Sequence, residues 1–190
     1  MNNNPSPLSG LHFEIEKTLP NGLGRAGIIK TAHGEIKTPA FMAVGTHGYV
    51  RFLSAADLHE LGAQAMLSNG YHLRRESPTI AAAGGLAEWQ PDRQDGLDNS
   101  PWLGPTITDS GGFQVMSLGS GLGKVVSMEK ERHVSNTAHK ERLAHVSEKG
   151  VSFQDPFDGQ PDFIGPEESM QIQCRIGADI HMAFDELTSL

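Results

Sequence analysis

The sequence predicts an α/β protein built on a parallel sheet, and three observations predict it. Short apolar stretches of strand character alternate with segments carrying helix signals, the order expected of βαβ units. Each apolar stretch ends in polar residues, at Gly45-Thr46, Asn69, Asp109-Ser110 and Asp185-Glu186. Parallel α/β sheets place their ligands beyond the carboxyl ends of the strands, so this is also a site signature. Composition supplies the third observation. Apolar residues are 37% of the 190, about 47% once glycine is counted and tyrosine left out, as in globular domains that bury a core.

The elements follow in order. Residues 1–10 read as a loose tail, and 11–190 as one domain. Phe13–Lys17 and Arg25–Lys37 alternate as an antiparallel hairpin region, with turns at Asn21-Gly22 and His33-Gly34. Thr38–Thr46 is a short apolar strand. Ser54–Leu61 is a helix with Ser54 as N-cap, Asp57 three residues on and Gly62 as the stop. Ala63–Leu73 is a second buried strand running into a polar loop. Pro78–Leu86 is an Ala-rich helix stopped at Gly84-Gly85. Thr106–Gln114 is a third strand ending in a polar turn. Residues 119–150 are Gly-rich, then charged, and read as a flexible or helical stretch. Gly150–Gly159 is a hairpin strand. Pro166–Ile176 is a helix with Pro at its first position and Gly177 after its end. Asp179–Asp185 is a fourth buried strand.

Charge and cysteine content exclude several classes. The formal net charge is −8, and residues 151–190 carry one basic group, Arg175, against eight acidic ones. Nucleic-acid surfaces want clustered positive charge, and only residues 124–150 are weakly basic. The affinity for any nucleic acid must therefore come mostly from elsewhere. The lone Cys174 forbids an intramolecular disulfide and a cysteine-based zinc site within the chain. It reads as a packed residue of its helix. The nine histidines show no metal-ligand spacing. No apolar run reaches membrane-span length, and the first residues lack the basic and apolar regions of a signal peptide. A cytoplasmic protein is the default expectation.

Asp109-Ser110-Gly111-Gly112-Phe113-Gln114 carries the most chemistry. A carboxylate precedes backbone that two glycines leave open to close approach, and an aromatic ring follows that can stack on a flat ligand. The pattern suits a planar heterocycle with N–H donors, such as a purine. A glycine-rich turn with a solvated Asp and a core Phe competes with that reading. Asp185, ending Asp179–Asp185, is a second acid at a strand tip, and there a simple cap competes. Gly119–Lys124 fails both the phosphate-loop and the dinucleotide patterns, which leaves a flexible loop. Glu129–Arg142 reads as a solvated helix face.

Read together, these segments resemble the tRNA-guanine transglycosylase family. The matching pieces are GRAGIIKTAHGEIKTPAFMAVGT (25–46), LSNGYHL (67–73), AAGGL (82–86), ITDSGGFQVMSL (107–118), GVSFQDPFDG (150–159), PEESMQIQCRIGADI (166–180) and MAFDE (182–186). The resemblance implies a TIM (β/α)8 barrel preceded by an antiparallel sheet. A complete barrel takes about 250 residues, so this chain would hold the first half. It also implies exchange of guanine at the tRNA wobble position for a 7-deazaguanine, through a covalent ribosyl-enzyme.

Carried over by position, Asp109 matches the acid that binds the base and moves its proton. Asp185 matches the acid that reads the purine edge, and Phe113 the stacking aromatic. The backbone of Ser110, Gly111 and Gly112 would line the same pocket, with Val44 and Asn69 as wall positions. The family's nucleophilic Asp, its zinc ligands and its basic tRNA-binding stretch correspond to positions beyond 190. No cofactor is therefore expected here. Partners implied are tRNA, a guanine-like base and, for the full-length family, a second copy as a homodimer.

This chain departs from the family in several places. Gly70 stands for the family's Thr, Asp155-Pro156 for Ser-His, and an insertion spans about Gly119 to Lys149. Half a barrel leaves sheet edges open, so the isolated chain is expected to be unstable. Two functions stay open: part of an active transglycosylase, or a non-catalytic base-binding subunit or inactive relic.

Overall fold

A computed structural model of the chain describes residues 10–119 and 144–185. The expected tail, the loop at 120–124, the helix face Glu129–Arg142 and residues after Asp185 lie outside the described residues.

The first three strands, β1 (His12–Thr18), β2 (Arg25–Thr31) and β3 (Gly34–Thr38), form one antiparallel sheet in chain order. Phe13, Ile29 and Ile36 pair across it in one row, and Ile36 is fully buried. Pro39 brings no backbone N–H, so the ladder stops there. The expected strand Thr38–Thr46 is therefore reduced to β4 (Ala43–Val44).

A second, parallel sheet begins at β4. It continues with β5 (Met66–Ser68), β6 (Thr106–Thr108) and β10 (Ile180–His181), neighbours in that order and all parallel. Val44, Leu67, Ile107 and Ile180 form one row across the sheet, and so point to the same face. The α/β expectation with a parallel sheet and a leading antiparallel sheet holds.

Helix α1 (Ala55–Glu60) follows β4 and starts as its sequence requires. The Asp57 amide donates to Ser54 Oγ at 3.1 Å, and the Ser54 amide donates to the Asp57 carboxylate at 2.7 Å. Helix α2 (Ser77–Ala82) follows β5 and packs on α4 (Pro166–Ile176) through Leu73, Ile80, Leu86 and Ile176. Helix α4 ends where Gly177 adopts φ +64° and returns its amide to the Gln173 carbonyl.

Between β6 and α4 the chain departs from expectation. The strand expected over Thr106–Gln114 ends at Thr108. Gly111 turns at φ +75°, and helix α3 (Gly112–Gly119) begins. The two glycines supply a strand-to-helix corner rather than a strand end. The stretch expected to be flexible or helical to residue 150 contributes β7 (Ala144–Ser147). This strand pairs with β8 (Gly150–Gln154) and, through it, with β9 (Pro161–Ile164) in a third, antiparallel sheet. Opposite Ala144 lies Phe153, and both are buried with Val115 and Ile164 under α3. Tertiary pairing overrides the local helical character here.

The expected strand Asp179–Asp185 is likewise cut to two residues. The Met182 carbonyl turns aside to accept from the Gln173 side chain at 2.9 Å. Cys174, expected to be packed, is exposed. No helix among the described residues is long and apolar enough to cross a membrane.

Candidate base-binding site at the strand ends

The carboxyl ends of β4, β5 and β6 open into a cleft of about 1070 Å³, lined among others by Val44, Leu67, Asn69, His72, Asp109 and Gln114. Three of the residues expected to form a site, Val44, Asn69 and Asp109, thus meet in one concavity. Val44 is 59% exposed and Asn69 is buried.

Asp109 sits one residue past β6, and three donors fix its carboxylate. Asn69 Nδ2 donates to Oδ2 at 2.6 Å, while the Gly70 and Gly111 amides donate to Oδ1 at 2.9 and 3.2 Å. Asn69 is itself oriented, because its Oδ1 accepts from the His72 amide at 3.0 Å. Glycine at position 70 permits the approach: a Cβ there would lie 2.7 Å from the Asp109 carbonyl oxygen. Burial pushes the Asp109 carboxyl above the ordinary range, and the Asp185 charge pushes the same way. The three donors pull against them. The result is a carboxyl that holds its proton more tightly than an exposed aspartate and lines the cleft.

Asp185 lies outside the cleft lining and is tied to Ser110, the residue after Asp109. Ser110 Oγ donates to Asp185 Oδ1 at 2.7 Å and accepts from the Gly112 amide at 3.1 Å. A Cβ on Gly112 would meet the Asp185 carbonyl at 2.6 Å, and one on Gly111 would meet the Tyr71 amide at 2.9 Å. The backbone of Ser110–Gly112 is buried against these neighbours rather than lining the cleft. Phe113 opens the first turn of α3, 39% exposed, and lies outside the cleft lining.

Helix α4 supports this arrangement in a way its residue types alone do not announce. Ser169 Oγ donates to the Ser110 carbonyl at 2.7 Å. The fully buried Gln173 accepts from Thr108 Oγ1 and the Met182 amide, and donates to the Met182 carbonyl. One amide therefore ties the end of β6 to the segment leading to Asp185. Buried polar residues four apart on an otherwise amphipathic helix are the signal that could have found them.

The cleft walls are pinned as well. Arg93 Nη2 donates to the Val50 and Leu53 carbonyls, and its guanidinium holds Asp95 down to about 2. Beyond β8, the buried Arg74 and the half-exposed Arg75 both grip Asp155. Among the described residues, no group of three or more His, Cys, Asp or Glu is placed to hold a metal ion.

A family profile described as queuine tRNA-ribosyltransferase matches residues 21–190. Curated proteins of that name resemble the chain over most of its length. The one from Synechococcus sp. is 40% identical over 176 residues, covering 92% of this chain and 39% of its own. The one from Acidithiobacillus ferrooxidans is 41% identical over 170 residues, covering 88% and 37%. The one from Fusobacterium nucleatum is 40% identical over 168 residues, covering 87% and 36%. The chain spans less than two fifths of the length of these relatives.

Proposed function

The chain belongs to the queuine tRNA-ribosyltransferase family, and on that premise we propose that it carries the base-recognition half of a tRNA base-exchange site. The observation that carries this reading is the Asp109 carboxyl. It is held by three donors at the cleft and pushed upward by burial. Exchange of a purine for a 7-deazaguanine requires the leaving base to gain a proton and the incoming base to lose one. A carboxyl whose hold on a proton is strengthened by burial can take up the one and deliver the other.

Asp185, one carboxylate oxygen of which is taken by Ser110, keeps lone pairs for the adjacent N1–H and 2-amino donors of a guanine edge. Phe113, four residues after Asp109 and outside the cleft lining, would reach a base only if that base extends beyond the cleft toward the first turn of α3. In the same reading a nucleophile attacks C1′ of the ribose and holds it while the bases exchange. The strands β4, β5, β6 and β10 then form four consecutive strands of a (β/α)8 barrel. Their chain-order, all-parallel pairing supports this. tRNA in the cytoplasm, and a second copy as dimer partner, belong to the same reading.

Equilibrium dialysis with labelled guanine tests the proposal. The wild-type chain is expected to retain guanine, and Asp109→Asn to lose at least tenfold in affinity. Equal retention by both proteins would sink it.

A further inference from the structure

The cleft is larger than one base needs. At about 1070 Å³ it exceeds the roughly 300–1000 Å³ of pockets that enclose a whole drug-sized ligand. At its lip stands Phe157, 70% exposed, at the tip of the β8–β9 hairpin.

The turn that carries this ring is held by hydrogen bonds and ion pairs. The Phe157 amide donates to Asp155 Oδ1 at 2.8 Å, and the Gly159 amide to the Asp155 carbonyl at 2.7 Å. The Asp155 amide in turn donates to the Gln160 carbonyl at 2.8 Å. The guanidinium of Arg75 lies 5.2 Å from the ring centroid and donates to Asp155 and Asp158, at 3.2 and 2.6 Å. Arg74, whose side chain is only 6% exposed, also donates to Asp155.

An ion-paired anchor thus positions a large aromatic that forgoes its own burial. Leaving such a ring in water gives up a substantial hydrophobic gain. Fixing the turn beforehand lowers the ordering cost of binding a partner there.

We propose that Phe157 is a stacking platform for a nucleobase flanking the reacting nucleotide in the single-stranded loop of the RNA substrate. Arg75 backs the ring and offers its exposed side to the adjoining phosphate. The proposal rests on the base-exchange reading above and extends it to a second nucleotide. A nucleobase suits the site because stacking tolerates any base and needs no hydrogen-bond code. The acidic balance of residues 151–190 makes such a π-face contact more useful here than charge alone.

The test uses an anticodon stem-loop with 2-aminopurine placed on either side of the reacting guanosine. Binding to the wild-type chain should quench the probe at one of these positions. Phe157→Ala should abolish that quenching and weaken stem-loop binding about 5- to 150-fold, from the 1–3 kcal/mol that base stacking contributes. Phe157→Trp should restore both, which separates stacking from misfolding. Unchanged quenching and affinity in Phe157→Ala, with free guanine still bound by the wild type, would overturn the platform alone. So would loss of self-association in place of RNA binding, which would assign the ring to a second copy. Failure of the wild type to bind either guanine or the stem-loop would overturn the platform and the base-exchange reading together.

Discussion

Replacing Asn69 by alanine isolates the electrostatics of the candidate site. The substitution deletes the 2.6 Å donor to Asp109 Oδ2 and leaves the Gly70 and Gly111 amides on Oδ1. A hydrogen bond to a charged group contributes about 1.5–3 kcal/mol. At about 1.36 kcal/mol per pKa unit, full loss corresponds to one to two units. Asp109 faces an open cleft and water replaces part of the lost donor, so we expect a rise of about one unit.

The sign for stability follows. The folded Asp109 carboxyl already lies above its unfolded value, so between the two values the folded chain holds a proton that the unfolded chain has released. Stability is greatest below the unfolded value and falls as pH rises through the folded one. Asn69→Ala should carry that fall to higher pH. Carbon-13 titration of labelled aspartates, with Asp109 assigned through Asp109→Asn, measures the shift directly. An unchanged or lowered value in Asn69→Ala would refute the account of what holds this carboxyl.

Two further outcomes are expected. Arg74→Ala removes one of the two guanidinium partners of Asp155, a side chain only 5% exposed, and should cost about 1.5–3 kcal/mol in urea unfolding. The double variant Arg74→Met with Asp155→Leu should recover much of that loss. His181 has a buried Nε2 without a partner, and burial lowers its pKa. The unfolded chain therefore takes up a proton that the folded chain refuses. Stability should drop as pH falls below about 6.5, and His181→Gln should flatten that part of a melting-temperature profile.

The elements that read clearly in the sequence are those whose ends are local chemistry. Helix α4 runs from Pro166 to Ile176, as its first-position proline and Gly177 indicate, and α1 uses Ser54 and Asp57 as its cap. Asp109 and Asn69 stood out in the sequence as polar residues at the ends of apolar stretches, and Val44 entered only through the family resemblance; that the three line one cleft is a matter of tertiary structure. What escaped depends on distant partners. Strand β7 exists because Ala144 finds Phe153 and the underside of α3, and nothing in residues 144–147 alone says so. Ser169 and Gln173 look like ordinary polar positions until the Ser110 and Met182 backbones are placed beside them. The Arg74–Asp155 pair joins residues 81 apart, beyond the reach of any periodicity argument.

One contact bears on how the chain is made. His33 Nδ1 meets Asp179 Oδ1 at 2.9 Å, while Asp179 Oδ2 accepts from the Thr106 amide at 2.9 Å. The turn between β2 and β3 is thereby stitched to the starts of β6 and β10 across 146 residues of chain. During synthesis the amino-terminal hairpins can pair with one another as soon as they leave the ribosome. Their seat on the parallel sheet does not exist until Asp179 has followed them out. The strands made before Asp179 therefore wait for it to dock, and in the interval their apolar row of Phe13, Ile29 and Ile36 stays open to unwanted contacts.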